Sequence, residues 1–131
     1  MSLDVKIENK GSYIVATITG DFDLDEALEM FKEISKAASE KNVSKILIDY
    51  RRMTSHPSYM DELIYAETVA KFWRDFIHSS KDKNPKLAYV GKQILDSDKT
   101  GVLVAENRGA FNFELFQDMS KAEEWLKTDD Y

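Results

Sequence analysis

The stretch KILIDY, Lys45 to Tyr50, carries three apolar residues in succession, Ile46, Leu47 and Ile48, with no polar position between them. A strand of that kind is covered on both faces, which is the situation of a central strand in a parallel sheet. Parallel strands cannot be joined by a tight turn. They need crossovers of a dozen or more residues, usually helices. This one run therefore commits the chain to an α/β architecture with helix-length segments between its strands.

The flanking segments supply the other elements. LDVKIEN sets Leu3, Val5 and Ile7 against polar neighbours, and SYIVATIT sets Tyr13, Val15 and Thr17 opposite Ile14, Ala16 and Ile18. The turn-forming Asn9-Lys10-Gly11-Ser12 between them makes an antiparallel hairpin. In GDFDLDEALEMFKEISKAASEKN the period changes, with Leu24, Ala27, Leu28, Phe31, Ile34 and Ala38 at helical spacing behind an acidic capping box of Asp23 and Glu26. A long helix is expected from about Ser58 to Ile77. KLAYVG reads as a second buried strand after the break at Lys83-Asn84-Pro85.

The segment from Ser97 to Gly109 is harder to assign. Val102-Leu103-Val104 favours a strand by propensity, but the parallel strands on either side need a crossover, and a helix is expected. GAFNFELFQD then alternates Phe111, Phe113 and Leu115 with Asn112 and Glu114, and the pair Ser120 and Glu123 predicts the cap of a last helix carrying Ala122, Trp125 and Leu126. The expected order is β-β-α-β-α-β-α-β-α over a single domain, residues 1–131. It describes a mixed, mostly parallel sheet of about five strands with an N-terminal antiparallel hairpin, about four helices and right-handed crossovers.

Composition excludes several functions. The chain has no cysteine, which removes disulfides, thiol nucleophiles and thiolate metal sites, and with no recognisable signal peptide a cytoplasmic location is expected. No apolar run approaches the roughly 20 residues of a membrane-spanning helix. A net charge of −6 and a pI near 4.9 argue against nucleic acid as partner, because phosphate-backbone binders need a basic stripe. The histidines, His56 and His78, are a whole helix apart, so no metal and no cofactor are expected. Gly20, Gly91, Gly101 and Gly109 are isolated and read as turns or helix ends, not as a phosphate loop. No nucleophile elbow is present. Asp21, Asp23, Asp25 and Glu26 suit the first turn of a helix.

Two regions remain as candidates. The first is the junction after KILIDY, with Asp49, Arg51, Arg52, Thr54, Ser55, His56 and Ser58. Asp49 ends a buried strand and needs a partner, and a structural ion pair with Arg51 or Arg52 is weighed above a general base. His56 precedes Pro57 and is therefore extended; Ser58 then sits where an N-cap belongs, with Asp61 three residues on. The same helix start, beside two arginines, would also favour an anion or a phosphate on Thr54, Ser55 or Ser58. The second region is the long helix. Leu63, Ala66, Ala70, Trp73 and Ile77 form one apolar stripe, and Tyr65, Val69, Phe72 and Phe76 form another beside it. A neighbouring helix covers the surplus in one reading; a second subunit or an apolar ligand meets it in the other.

The order of elements, with GDFDLDEALEMFKEI after a hairpin, KILIDYRRMTSHPS as strand and junction, KLAYVG as the next strand and FELFQDMSKAEEWL at the end, resembles the SpoIIAA-like proteins of the STAS or anti-anti-sigma superfamily. The likeness is to the branch of small stand-alone STAS/SEC14-like domains. It implies a βα superhelix with a regulatory, non-enzymatic task and no catalytic residue. It also implies a regulatory serine near Ser58, although His56-Pro57 stands where an Asp-Ser setting belongs in that superfamily. The expected function is a protein-interaction module, a homodimer in its simplest form. The alternative is a carrier or sensor of a small apolar, lipid-like ligand. An enzyme built on Asp49, Arg51, Arg52 and His56 ranks below both.

Overall fold

The hairpin, the buried strands and the crossover helices follow one another as the sequence predicts. In the computed structural model, which describes residues 2–79, 84–94, 96–107 and 112–128, the strands are β1 (Leu3–Asn9), β2 (Ile14–Gly20), β3 (Lys45–Met53), β4 (Lys86–Val90) and β5 (Phe113–Phe116). The helices are α1 (Leu24–Glu40), α2 (Tyr59–Ser79), α3 (Asp96–Asn107) and α4 (Met119–Lys127). The five strands lie in the order β1-β2-β3-β4-β5, antiparallel between β1 and β2 and parallel from there on. The segment after Ser97 is helical despite its valines, because β4 and β5 are parallel neighbours and only a crossover joins them. Lys83, Gly109 and Phe111 lie outside the described residues.

Alternation along the strands divides the core in two. Ile14, Ala16, Ile18, Ile46, Ile48, Leu87 and Tyr89 face α1 and α2, meeting Phe31, Ile34, Val69, Ala70 and Trp73. Tyr13, Val15, Leu47, Ala88 and Val90 face the other way, onto Ala122 and Leu126 of α4. The unbroken Ile46-Leu47-Ile48 run is thus apolar because each side of β3 has its own layer. No described helix is long and apolar enough to cross a membrane.

Capping follows the residue types more closely than the expected positions. Asp23 Oδ1 accepts the Glu26 N–H at 3.0 Å and starts α1. Glu26 does not close the box; its carboxylate accepts from the backbone N–H of Ser2 at 3.3 Å and Leu3 at 3.2 Å, tying α1 to the start of β1. The cap of α4 is Asp118, accepting from Ser120 N at 2.8 Å and Lys121 N at 3.3 Å, and not the expected Ser120 with Glu123. Strand β5 ends at Phe116, which leaves Asp118 as the first capping side chain available. Glu123 instead accepts the hydroxyl of Tyr13 on the face of the sheet that α4 covers, and burial together with that carboxylate pushes the phenol up to about 12.

Lys86, at the start of β4, is only 1% exposed. Its ammonium donates to Trp125 O at 2.6 Å, Thr128 O at 2.8 Å and Thr128 Oγ1 at 2.8 Å, and lies 5.0 Å from the centre of the Trp125 ring. A cation placed on the last carbonyls of α4 is favoured by the helix dipole.

Gly20 closes β2 with φ +107°, and a Cβ there would stand 2.0 Å from Ser2 O. Gly20→Ala is expected to cost about 2 kcal/mol, the strain of a side chain at positive φ with a displaced chain start, read from the denaturant midpoint. Gly101, expected in a turn or at a helix end, is inside α3 instead. A Cβ there would meet Ala66 Cβ at 3.5 Å, an ordinary van der Waals contact, so Gly101 marks where α3 lies on α2 without glycine being required.

Candidate functional site

The site begins with an irregularity in β3. Its pairing with β2 runs in register to Thr17 and Asp49 and resumes at Thr19 and Arg52, leaving one extra residue on the β3 side. Bulges of this kind bend a strand and re-aim its side chains. Here Asp49, 5% exposed, holds the bulge. It accepts from Arg51 N at 3.1 Å, Arg51 Nε at 2.9 Å and Arg51 Nη2 at 2.8 Å. Burial works to raise the Asp49 carboxyl, but the hydrogen bonds from the Arg51 side chain and backbone and the charges of Arg51 and Arg52 outweigh it, so it titrates below its ordinary value.

A carboxylate with a depressed folded-state pKa stabilises the fold at every pH above its unfolded value and loses that contribution as pH falls through the folded one. Asp49→Asn is therefore expected to flatten the decline of stability below about pH 4 while lowering stability at neutral pH by about 1–2 kcal/mol. Unfolding titrations of both proteins between pH 2 and pH 7 check this; parallel curves would remove the ion pair from the account.

The seven junction residues expected to act together are divided by the sheet. Asp49 follows Leu47 on the α4 side, whereas Tyr50 and Met53 line a cavity on the α2 side. Arg51 is engaged by Asp49, and Arg52 is exposed. The two arginines therefore stand in different settings, one paired to a buried acid and one in solvent. Thr54 donates its hydroxyl to Asp21 and Ser55 Oγ accepts the Phe22 N–H at 2.9 Å, so both residues latch the junction to the loop before α1. Ser58 caps α2 as its spacing predicts: Oγ accepts from Asp61 N at 3.2 Å and its carbonyl from Glu62 N at 2.9 Å.

His56 is the junction residue that turns inward. Its Nδ1 lies 2.9 Å from Pro57 O, and since a carbonyl only accepts, Nδ1 carries the proton. Nε2 faces Asp98 Oδ1 at 3.3 Å and Glu62 Oε2 at 3.9 Å. One oxygen of each carboxylate and one nitrogen of the His56 ring all lie within 4.8 Å of one another. Glu62 and Asp98 were not candidates from sequence. Glu62 reads there as one more acid of a helix start, and Asp98 belongs to the segment whose secondary structure was itself in question.

Behind this polar rim is a cavity of about 120 Å³ between the sheet and the helices. Phe22, Ile48, Met53, Ala66, Val102 and Phe113 supply most of its apolar wall. Three phenols border it. Tyr65 and Tyr89 join hydroxyls at 2.7 Å. Burial pushes the Tyr65 phenol up to about 12, and burial raises Tyr89 further, with Tyr65 adding to it. Burial followed by the negative charges of Asp98 and Glu62 raises Tyr50. All three are neutral hydroxyls across the physiological range.

The second apolar stripe of α2 is largely turned inward. Val69 is fully buried, which removes it as a candidate for contact with a second subunit or a ligand. Tyr65 lines the cavity; Phe76 stacks on Trp73 at 5.1 Å, and Phe72 lies 5.4 Å from the Lys32 ammonium of α1. The surplus thus meets three different neighbours: the cavity, Trp73 of the same helix and Lys32 of α1. The large apolar side chains that α2 leaves exposed are others: Tyr59, Met60 and Ile64, at 57%, 62% and 41%. Periodicity identifies stripes but not which stripe a partner helix covers.

Comparison with solved structures places this geometry. The chain superimposes on a crystal structure of an anti-sigma factor antagonist from Mycobacterium paratuberculosis with a TM-score of 0.65 at 12% identity, covering 97% of this chain and 96% of that one. It superimposes on an uncharacterized protein with a SpoIIAA-like fold from Shewanella loihica PV-4 with a TM-score of 0.53 at 21% identity, covering 95% and 93%. No protein-family model and no curated protein sequence matches the chain. The fold is SpoIIAA-like, an α/β fold with a five-stranded mixed sheet and four helices.

Proposed function

We propose, from the SpoIIAA-like fold that this chain shares with an anti-sigma factor antagonist, that it is a non-enzymatic regulatory module acting as one domain through a protein partner. The contact surface is the β3–α2 junction with the first turns of α2. The observation that carries this reading is the exposure of Tyr59, Met60 and Ile64 beside that junction. Apolar side chains grouped in this way at a helix start suit a protein contact, with the polar junction as its rim. A second copy of the chain is the simplest partner. Light scattering at micromolar concentration tests it: a dimer that Met60→Glu with Ile64→Glu converts to a monomer is expected, and a monomeric wild type would remove the homodimer. Ser58, exposed at the same helix start, is where a phosphate would act on this surface. Intact-mass and peptide mapping that find no phosphate at Thr54, Ser55 or Ser58 in protein from its own cells would remove that switch. The absence of turnover is supported by His56, whose two ring nitrogens face Pro57 O and Asp98 and not a junction hydroxyl.

A second reading is favoured by the cavity. A space of about 120 Å³ lined by aromatic and aliphatic side chains suits a small apolar molecule, of about the size of a single aromatic ring, rather than a full acyl chain. Native mass spectrometry of freshly purified protein and thermal shifts across a panel of small aromatics test it. A protein that carries nothing and responds to none of them has no such role.

A further inference from the structure

We infer that His56, Glu62 and Asp98 form a binding site for a divalent transition-metal ion such as Zn²⁺ or Mn²⁺. The three ligands come from three places: the junction loop, the first turn of α2 and the first turn of α3. They meet at the rim of the cavity, with the side chains of Glu62 and Asp98 12% and 7% exposed. One imidazole nitrogen with two carboxylate oxygens is a donor set that suits these ions. Metal bonds of about 2.0–2.2 Å imply ligand atoms about 3.3–3.6 Å apart in a tetrahedral arrangement. The observed 3.3 Å and 3.9 Å from Nε2 lie near that range, and the three ligand atoms together fall within 4.8 Å of one another.

Two features favour a metal over a protonated histidine. The Nδ1 proton is committed to Pro57 O, which is how ligating histidines are commonly oriented, and this leaves Nε2 directed at the acids. Were Nε2 protonated, its single N–H could serve only one of the two carboxylates. Its separation from Asp98, 3.3 Å, is also longer than the roughly 2.7–2.9 Å of a charge-assisted hydrogen bond. A divalent ion would engage Nε2 and one oxygen of each acid together. All three ligands line the cavity, so a remaining coordination position faces it and would accept a donor atom of a small molecule held there. By joining the starts of α2 and α3, the ion would fix the junction that bears the proposed contact surface. The site stands on its own geometry and does not depend on the partner or the apolar ligand proposed above.

The test uses the full chain without an affinity tag, stripped with EDTA. Calorimetric titration with ZnCl₂ and with MnCl₂, and optical titration with CoCl₂, are expected to show one ion per chain and a rise in the thermal midpoint. His56→Ala and Glu62→Gln are each expected to weaken binding at least about tenfold and to abolish the Co²⁺ absorption band, with circular dichroism showing that both remain folded. Asp98→Asn repeats the test if either variant fails to fold. His78→Ala is expected to bind as the wild type does. Failure to take up any of the three ions, affinity unchanged in the rim variants, or loss of binding in His78→Ala would each overturn the site. Loss of the metal with uptake of a small aromatic intact would overturn this inference alone and leave the cavity reading standing.

Discussion

Truncating Trp73 to alanine is expected to lower the free energy of unfolding by about 4 kcal/mol, read as a fall in the denaturant midpoint with little change in slope. The indole is fully buried and stacked on Phe76, in the layer between α2 and the sheet. Its removal leaves a void that the flanking strands cannot fill, because a close-packed core relaxes only in part. In a domain whose total stability is about 5–15 kcal/mol, a loss of that size populates the unfolded state measurably. Phe72→Ala offers the contrast. Phe72 is half-buried against α1, and its truncation is expected to cost less than half as much. Equal losses would mean that the two stripes of α2 are equally structural, and that Phe72 has no share in an outer surface.

Lys86→Met is expected to cost about 3 kcal/mol and to act locally, on α4. The substitution keeps the length of the stem and removes a buried cation that binds three acceptors at the end of α4. Two of those acceptors retain other donors: Trp125 O accepts from Thr128 Oγ1 at 2.7 Å, and Thr128 O from Asn84 Nδ2 at 3.4 Å. No carbonyl is therefore stranded, which holds the cost to the charge-assisted bonds, at about 1.5–3 kcal/mol each, less the desolvation that burying the ammonium required. Hydrogen exchange is the discriminating measurement. The amides of α4 should lose protection while those of α1 and β2 keep theirs. An unchanged α4 would show that the stem packs and the charge contributes nothing.

The elements were legible wherever a period was. The run Ile46-Leu47-Ile48, the hairpin alternation and the helical spacing of Leu24 to Ala38 each led to the observed element, and topology decided α3 where propensity pointed to a strand. Caps were legible as chemistry and less so as position, since Asp118 and Ser120 are both competent and the end of β5 chose between them. The site was only half readable. Asp49 with Arg51 and the cap at Ser58 follow from neighbours in sequence. The approach of His56 to Asp98, 42 residues away, follows from α3 lying on α2, and no local pattern reports it. The bulge after Asp49 was equally silent, and its extra residue is what brings Met53 to the same side as Tyr50.

The strand order runs from β1 to β5 without reversal. Open α/β sheets that wind both ways from a middle strand leave a crevice at the switch point, outside the carboxyl ends of the strands, and ligands settle there with little disturbance. This sheet winds one way and has no such seam. The space available to an occupant lies beneath the helices, bounded by Ala66 of α2 and Val102 of α3. An occupant of that space would touch α2 at Ala66 and Tyr65, and an ion at its rim would touch it at Glu62. Tyr59, Met60 and Ile64 ride on that same helix. One-way winding thus puts the cavity wall and the exposed Tyr59, Met60 and Ile64 on one and the same helix.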